Sequence, residues 1–158
     1  MEFRSRAVRS LVELHEQEMR RFLEVWRRFI AASAPMPEAH GDESYASREQ
    51  LSAHVMMAAR GYLTRIGEWV QRPVTDVDDS KDASAIAARL PEFAEMVLKA
   101  YPRHLAQVTD DELDKQVHKT RWGDLMSVEM LLEHAVVHPM RHRIQLERIL
   151  ENQATAKA

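Results

Sequence analysis

Apolar residues recur at steps of three and four along most of this chain, and that spacing constrains its fold more than any other feature. Only four glycines interrupt the chain, and alternating β-branched patterns are almost absent. A period of 3.6 residues places the apolar side chains on one face of an α-helix. The sequence therefore predicts an all-α protein. The first such stripe consists of Val8, Leu11, His15, Met19, Phe22, Trp26 and Phe29.

The same spacing predicts four long helices, over about 3–32, 47–70, 90–108 and 127–151. Ser47 and Gln50 form a capping box at the start of the second helix. Pro91 and Pro102 are expected to start, kink or interrupt the third. Four such helices in 158 residues predict a single domain. We expect an up-down four-helix bundle over residues 1–152 and a disordered tail over residues 153–158.

Charge and composition argue against several classes of protein. The formal net charge is -3, which provides no field that favours nucleic acid. The first residues lack an uninterrupted apolar stretch, so we expect no signal peptide, and the same pattern predicts no transmembrane span. The chain has no cysteine, which suits a reducing cytoplasm, and any metal site must use His, Asp or Glu. We therefore expect a cytoplasmic protein with no nucleic-acid or membrane partner.

His138 and His142 occupy core positions of the last predicted helix, where leucine would be ordinary. Residues four apart share one helix face, so the two imidazoles lie about one turn apart and can bind the same metal ion. His54 occupies the core stripe of the second helix. Three buried neutral imidazoles each need a partner, and one divalent cation satisfies all of them. Three His ligands with a fourth position open are typical of catalytic metal sites.

A core histidine satisfied by a hydrogen bond is the commoner interpretation of any single one of these residues. His134 lies one turn before His138 and is rotated from it by about 40°. It fits an alternative ligand, a neighbour of the ligands or a rim residue. His15 also lies on an apolar stripe, where a structural or supporting position is expected. The surface is the expected location of His40, His104 and His118.

Two helical segments carry a family resemblance: LSAHVMMAARGYL around His54, and LLEHAVVHPMRHRIQLERIL near the end, with a turn at Trp122-Gly123 between them. With an upstream helical histidine and a His-x-x-x-His-x-x-Gln signature, nearly the whole chain resembles the DinB/YfiT superfamily of helical-bundle metalloenzymes. This superfamily is distinct from the DNA polymerase that shares the DinB name. The resemblance implies His54, His138 and His142 as ligands of a divalent metal, commonly zinc or nickel. It also suggests a homodimer.

One position departs from that family pattern. Many relatives carry Glu directly after the first of the paired histidines, whereas this chain has Pro139. Proline removes an amide donor and clashes one turn back, at a cost of about 3 kcal/mol in a helix interior. We therefore expect either a kink at Pro139 or a different metal site. Proline has no side chain that could transfer a proton, so we expect no such role at this position.

Characterised relatives include transferases that join low-molecular-weight thiols to electrophiles, which implies a small-molecule substrate and a thiol co-substrate. A metal with an open position lowers the pKa of a bound thiol or of water, so a hydrolase is also open. Gln145 is expected to support a ligand or contact substrate. Tyr62 is two turns from His54 and is a candidate donor to substrate, although a core position is simpler. Packing is the expected role of Trp69 and Trp122.

Two non-catalytic classes fit the same residues. In one, the bundle binds a ligand or partner and the metal only locks the core. In the other, the protein binds no metal and the histidines hydrogen-bond one another. Metal content separates the second class from the rest, and an open pocket beside the histidines favours an enzyme over a structural site.

Overall fold

The computed structural model describes residues 2–120 and 123–156, and within them it contains six helices and one short hairpin. The prediction of a mainly helical chain is confirmed. A single 3₁₀ turn, Glu43–Tyr45, precedes α2, and the hairpin pairs β1 with β2 in antiparallel register. The elements are α1 Arg6–Ala31, α2 Arg48–Trp69, α3 Ala83–Ala88, α4 Leu90–Leu105, α5 Asp110–Asp114, β1 His118–Lys119, β2 Leu125–Met126 and α6 Val128–Ala156.

Local sequence signals explain where the helices begin. The Ser5 side chain accepts a hydrogen bond from the Val8 amide at the start of α1, and Ser47 caps α2 in the same way. Pro91 lies in the first turn of α4, where an amide donor is not needed. Pro102 lies in the last turn of α4, and the helix ends three residues later at Leu105. The two prolines therefore mark the two ends of α4.

The first and last helices of the four-helix core run in the same direction. Glu18 pairs with Arg143 near the middle of both helices, and the Ala32 carbonyl at the end of α1 accepts from Gln153 near the end of α6. In contrast, α2 runs antiparallel to α6, because His54 meets His138 and the later Tyr62 meets the earlier His134. The four long helices pack in the ring order α1, α6, α2, α4.

A long crossover connection, residues 70–89, makes α4 parallel to α2. The connection runs back along the bundle: Asp76 pairs with Arg103 and His104 at the end of α4, and the Asp78 amide contacts Met96 near its middle. The alternating up-down order predicted from the sequence is therefore not confirmed. The physical reason is that this polar segment is long enough to return the chain to the end of the bundle from which α2 began.

Close packing holds the crossover against α2. Gly67 is buried, and a Cβ atom there would lie 2.8 Å from the Arg72 carbonyl oxygen and 2.9 Å from Cγ2 of Val74. Arg72 itself forms two hydrogen bonds to the Glu112 carboxylate, which fixes the start of the connection against α5. The position of α2, and of His54 on it, thus depends on the connection that follows it.

The remaining features concern the ends of the chain and its polarity. Helix α6 continues to Ala156, so residues 153–156, assigned to a disordered tail from the sequence, are helical. Pro139 lies inside α6, which remains helical on both sides of it. Along the described ranges, no helix combines the length and the apolar character needed to cross a membrane.

Candidate metal centre

Three histidine side chains from two helices meet between α2 and α6. His54 comes from α2, and His138 and His142 come from successive turns of α6. One ring nitrogen from each lies within 4.8 Å of the other two. His54 Nε2 and His138 Nε2 are 3.0 Å apart, and the three ring centroids are separated by 4.8 to 5.2 Å. The structure thus brings together the three residues selected from the sequence.

Helix geometry accounts for this grouping. Residues four apart on α6 project from the same face, so His138 and His142 both turn towards α2. Their neighbours on that helix hold the orientation: Ala135 and Leu146 are fully buried, and His142 is only 7% exposed. Because α2 packs antiparallel against α6, His54 enters the gap between the two rings from the opposite side.

The donor set fits a divalent transition metal. In a tetrahedral site with metal–nitrogen distances of about 2.0–2.1 Å, neighbouring nitrogens lie roughly 3.3 Å apart. The 3.0 Å between His54 and His138 is close to that spacing, and the 4.8 Å limit for the group requires only side-chain adjustment. Imidazole suits zinc, copper, iron and nickel, whereas magnesium and calcium prefer oxygen.

Burial keeps the three imidazoles neutral. Desolvation is the main cause that lowers the pKa of His138 to about 3, with smaller contributions from the neighbouring His142, His54 and His134. Desolvation, with smaller contributions from His54 and Arg141, lowers the pKa of His142 to about 4, and burial also lowers the pKa of His54. Near pH 7 the rings are therefore unprotonated, and each retains a nitrogen lone pair for a metal ion.

Two cavities open beside the histidines, and His54 borders both. The first, of about 480 Å³, lies between α6 and the turn before α2, and all three histidines line it. The second, of about 640 Å³, lies along α2 and includes Met57, Tyr62 and Leu131 in its wall. The cluster is therefore accessible to small molecules from two sides, as a catalytic site requires and a closed structural site does not.

The other residues singled out from the sequence lie around this cluster. Gln145 lines the first cavity and Tyr62 the second. The Tyr62 ring stands edge-on to His134 and His138, and burial raises its pKa to about 12. The His134 ring centroid is 6.4 Å from that of His138, and His134 is not one of the three residues whose donor atoms converge. His134 is thus a neighbour of the cluster.

The remaining histidines have separate surroundings. His15 is fully buried in the core and stacks on Tyr101 with ring centroids 4.0 Å apart. His104 pairs with Asp76 and is only partly exposed, and His40 is exposed. His118 stacks on Trp69 at 4.6 Å, so Trp69 makes a packing contact and also borders a small cavity. The prediction for Trp122 falls outside the described residues.

The family model described as DinB family matches residues 7–152, which is most of the chain. The chain belongs to the DinB family. No curated protein and no solved structure gives a significant match to it. The resemblance noted in the sequence is thereby confirmed, and what this DinB protein binds or catalyses has to be argued from its own residues.

Pro139 distinguishes this DinB chain from the pattern expected of its relatives, and α6 continues through it. It is buried between His138 and His142, inside a helix that does not break. The expectation of a different metal site is not supported, because the histidines on either side of Pro139 converge. No acidic side chain is available at this position for proton transfer.

Three residues near the centre had no signal in the sequence. The Tyr45 hydroxyl lies 3.4 Å from Nδ1 of His142, and Asp42 and Arg141 border the first cavity with it. Asp42 and Tyr45 belong to an irregular segment whose path periodicity does not predict. Arg141 belongs to α6, where an arginine is typical of an exposed helix face. Only its position beside the cavity in the folded chain indicates a role in binding.

A second polar group, on the opposite side of α6, was also missed. Arg143 Nε donates to Glu18 on α1 at 3.1 Å, and its Nη1 donates to Glu147 at 2.8 Å. Arg21 donates to the other Glu18 oxygen at 2.6 Å. Because Arg143 follows His142 directly, this network fixes the rotation of α6 and with it the direction of the histidines.

Proposed function

We propose that this DinB protein binds one divalent cation, zinc or nickel, through His54, His138 and His142, and activates a low-molecular-weight thiol for transfer to an electrophile. The observation that carries the proposal is the convergence of three neutral imidazoles at the boundary of two cavities. Three ligands leave a coordination position free, and two cavities allow two small molecules to approach it.

A divalent cation held there supplies Lewis acidity, which lowers the pKa of an incoming thiol and favours its thiolate at neutral pH. The chain itself has no cysteine, so the sulfur must come from a second molecule. In the transfer, the sulfur forms a bond to an electrophilic carbon while the leaving group departs with its electron pair. The thiol proton passes to solvent through the open cavity.

The surrounding side chains position the ligands and the reactants. The Tyr45 hydroxyl beside His142 Nδ1 is placed to fix the orientation of that ring, as hydrogen-bonding partners of metal-bound histidines do. Gln145 lines the cavity in which we place the thiol, and its amide offers a donor and an acceptor. Tyr62 lines the other cavity, where its hydroxyl is available to the electrophile.

Metal content tests the first half of the proposal. After dialysis against zinc or nickel, we expect the wild type to hold one metal ion per chain by elemental mass spectrometry. His54→Ala, His138→Ala and His142→Ala should each lose it, whereas His134→Ala and His104→Ala should retain it. A folded wild-type protein that binds neither metal would leave only hydrogen-bonded histidines and would overturn the proposal.

Cobalt substitution and turnover test the second half. Adding 2-mercaptoethanol to the cobalt-loaded protein should produce a near-ultraviolet sulfur-to-cobalt absorption band, absent from His138→Ala. Transfer of the thiol to chlorodinitrobenzene should then exceed the uncatalysed rate. Metal binding with hydrolysis of a nitrophenyl ester but no sulfur band would instead identify a hydrolase. Metal binding with neither activity would leave a structural metal in a ligand-binding bundle.

A further inference from the structure

The first cavity carries two arginines that have no counter-ion among the residues the structure describes. Arg141 and Arg148 are seven residues apart on α6, so they lie on one face two turns apart. Gln145 stands between them and lines the same cavity. Both arginines are exposed, and no described carboxylate lies within ion-pair distance of either. Their charge is thus available to a ligand.

The neighbouring arginine of the same helix behaves differently. Arg143 is only 17% exposed and is held by Glu18 and Glu147. It faces α1, away from the cavity, and its charge is neutralised by carboxylates of the protein itself. Among the described residues, the arginine that packs in the bundle has carboxylate partners from α1 and α6, whereas the two that face the cavity have none.

The charge of Arg141 reaches the histidine cluster. In addition to the effect of burial, it lowers the pKa of His134, His138 and His142. One acidic group opposes it: Asp42 lines the same cavity, but its carboxylate already accepts hydrogen bonds from the amide and hydroxyl of Ser44. Two arginines against one carboxylate leave the wall of the cavity positive before any cation is bound.

We propose that the first cavity is an anion-selective subsite, in which Arg141 and Arg148 hold a carboxylate or similar anionic group of the co-substrate while its other end reaches the histidines. That the co-substrate is a thiol rests on the proposed function. The inference adds that this thiol carries a negative charge. Planar guanidinium groups bind such oxyanions through paired hydrogen bonds, and the partly open cavity makes this attraction sensitive to salt.

Two thiols that differ in charge provide the test. On the cobalt-loaded protein, we expect 3-mercaptopropionate to bind about tenfold more tightly than 2-mercaptoethanol, since one charge-assisted contact is worth about a factor of ten. Arg141→Gln and Arg148→Gln should each reduce that preference severalfold without weakening 2-mercaptoethanol. Asp42→Asn should increase it. The control Arg103→Gln, which removes an exposed arginine on α4, should leave it unchanged.

A second arm separates failure of this inference from failure of the proposed function. Equal affinity for the two thiols in the wild type would overturn the anionic subsite and leave thiol activation standing. If neither thiol binds, the proposal of thiol activation fails. The anionic subsite is then tested separately, by comparing the binding of glutarate and of glutaramide to the metal-free protein in NMR titrations. Tighter binding of glutarate, lost in Arg141→Gln/Arg148→Gln, would support it. Equal binding of the two would overturn it.

Discussion

The two faces of α6 treat buried polar groups in opposite ways. Towards α1, Arg143 is matched by the carboxylates of Glu18 and Glu147. Towards α2, the side chain of His138 makes one hydrogen-bond contact among the described residues, to His54, and its Nδ1 atom is buried without a partner there. Buried polar groups are normally satisfied. The difference indicates that the face towards α1 stabilises the fold, whereas the face towards α2 retains unsatisfied nitrogen atoms that can bind a ligand.

Breaking the satisfied face should have the largest effect on stability. Glu18→Ala leaves a mostly buried guanidinium with only Glu147, and we expect it to lower the free energy of unfolding by about 3 kcal/mol. Urea titration of the metal-free protein measures this loss. Glu147→Gln, whose partner retains Glu18, should cost less than about 1 kcal/mol. Equal losses in the two variants would show that Glu18 does not determine the position of α6.

His15 is a buried imidazole outside the histidine cluster, and it therefore shows what burial alone does to an unsatisfied histidine. Neither ring nitrogen has a partner within the described ranges, and burial lowers its pKa to about 3. Between that value and the ordinary 6.5, the unfolded chain binds a proton that the folded chain does not, so stability falls as the pH falls through this window. At pH 5 the loss amounts to about 2 kcal/mol relative to pH 7.

The variant His15→Phe should retain the stacking on Tyr101 and remove this loss. The stability difference between variant and wild type should therefore grow by about 2 kcal/mol between pH 7 and pH 5. Urea titrations at the two pH values measure it. His40→Gln, in which the replaced side chain is 80% exposed, serves as the control and should follow the wild type. A difference that does not change with pH would contradict the assigned burial of His15.

A substitution on the face of α6 towards α2 should change stability in the opposite direction to Glu18→Ala. His138→Leu removes an orphaned ring nitrogen, so the metal-free protein should gain about 1 kcal/mol of unfolding free energy. The same variant should gain nothing from added zinc, whereas zinc at a hundred times its Kd should stabilise the wild type by about 2.7 kcal/mol. Thermal unfolding with and without zinc measures both. A loss of stability in the metal-free variant would mean that His138 supports the fold.

The smallest effect concerns how the crossover connection is held against α2. Gly67→Ala places a methyl group against the Arg72 carbonyl, and we expect a net loss of about 1 kcal/mol after the better helix propensity of alanine is included. Gly61→Ala is a matched control on the same helix, because its Cβ would meet nothing within 4 Å. It should stabilise by up to about 1 kcal/mol. If the two variants behaved alike in urea, the crossover would not be tightly packed on α2.

Features that depend on neighbouring residues could be predicted from the sequence. The cap at Ser47, and the shared face of His138 and His142, require only helical geometry over three or four residues. His54 was placed on a core stripe by the same periodicity. Its meeting with His138 across 84 residues was expected because both occupy core positions of a small bundle.

Features that depend on the order of helices in space could not be predicted. The return of residues 70–89 along the bundle follows from contacts such as Asp76 with Arg103, which no local pattern reports. The pairing of Glu18 with Arg143 is hidden among many charges that do lie on exposed faces. Tyr45 and Asp42 follow an irregular loop, and their position beside the cavity is a property of the assembled chain. The homodimer stays a prediction.

The pairing of the first helix with the last has a consequence for how the protein is made. The ion pair between Glu18 and Arg143 joins positions 125 residues apart. At a synthesis rate of about 5–20 residues per second, roughly ten seconds separate the appearance of the two partners at the ribosome. Throughout that interval the apolar face of α1 has no α6 to cover it. Completion of the bundle, and of the histidine cluster, therefore waits until α6 has been synthesised and has emerged.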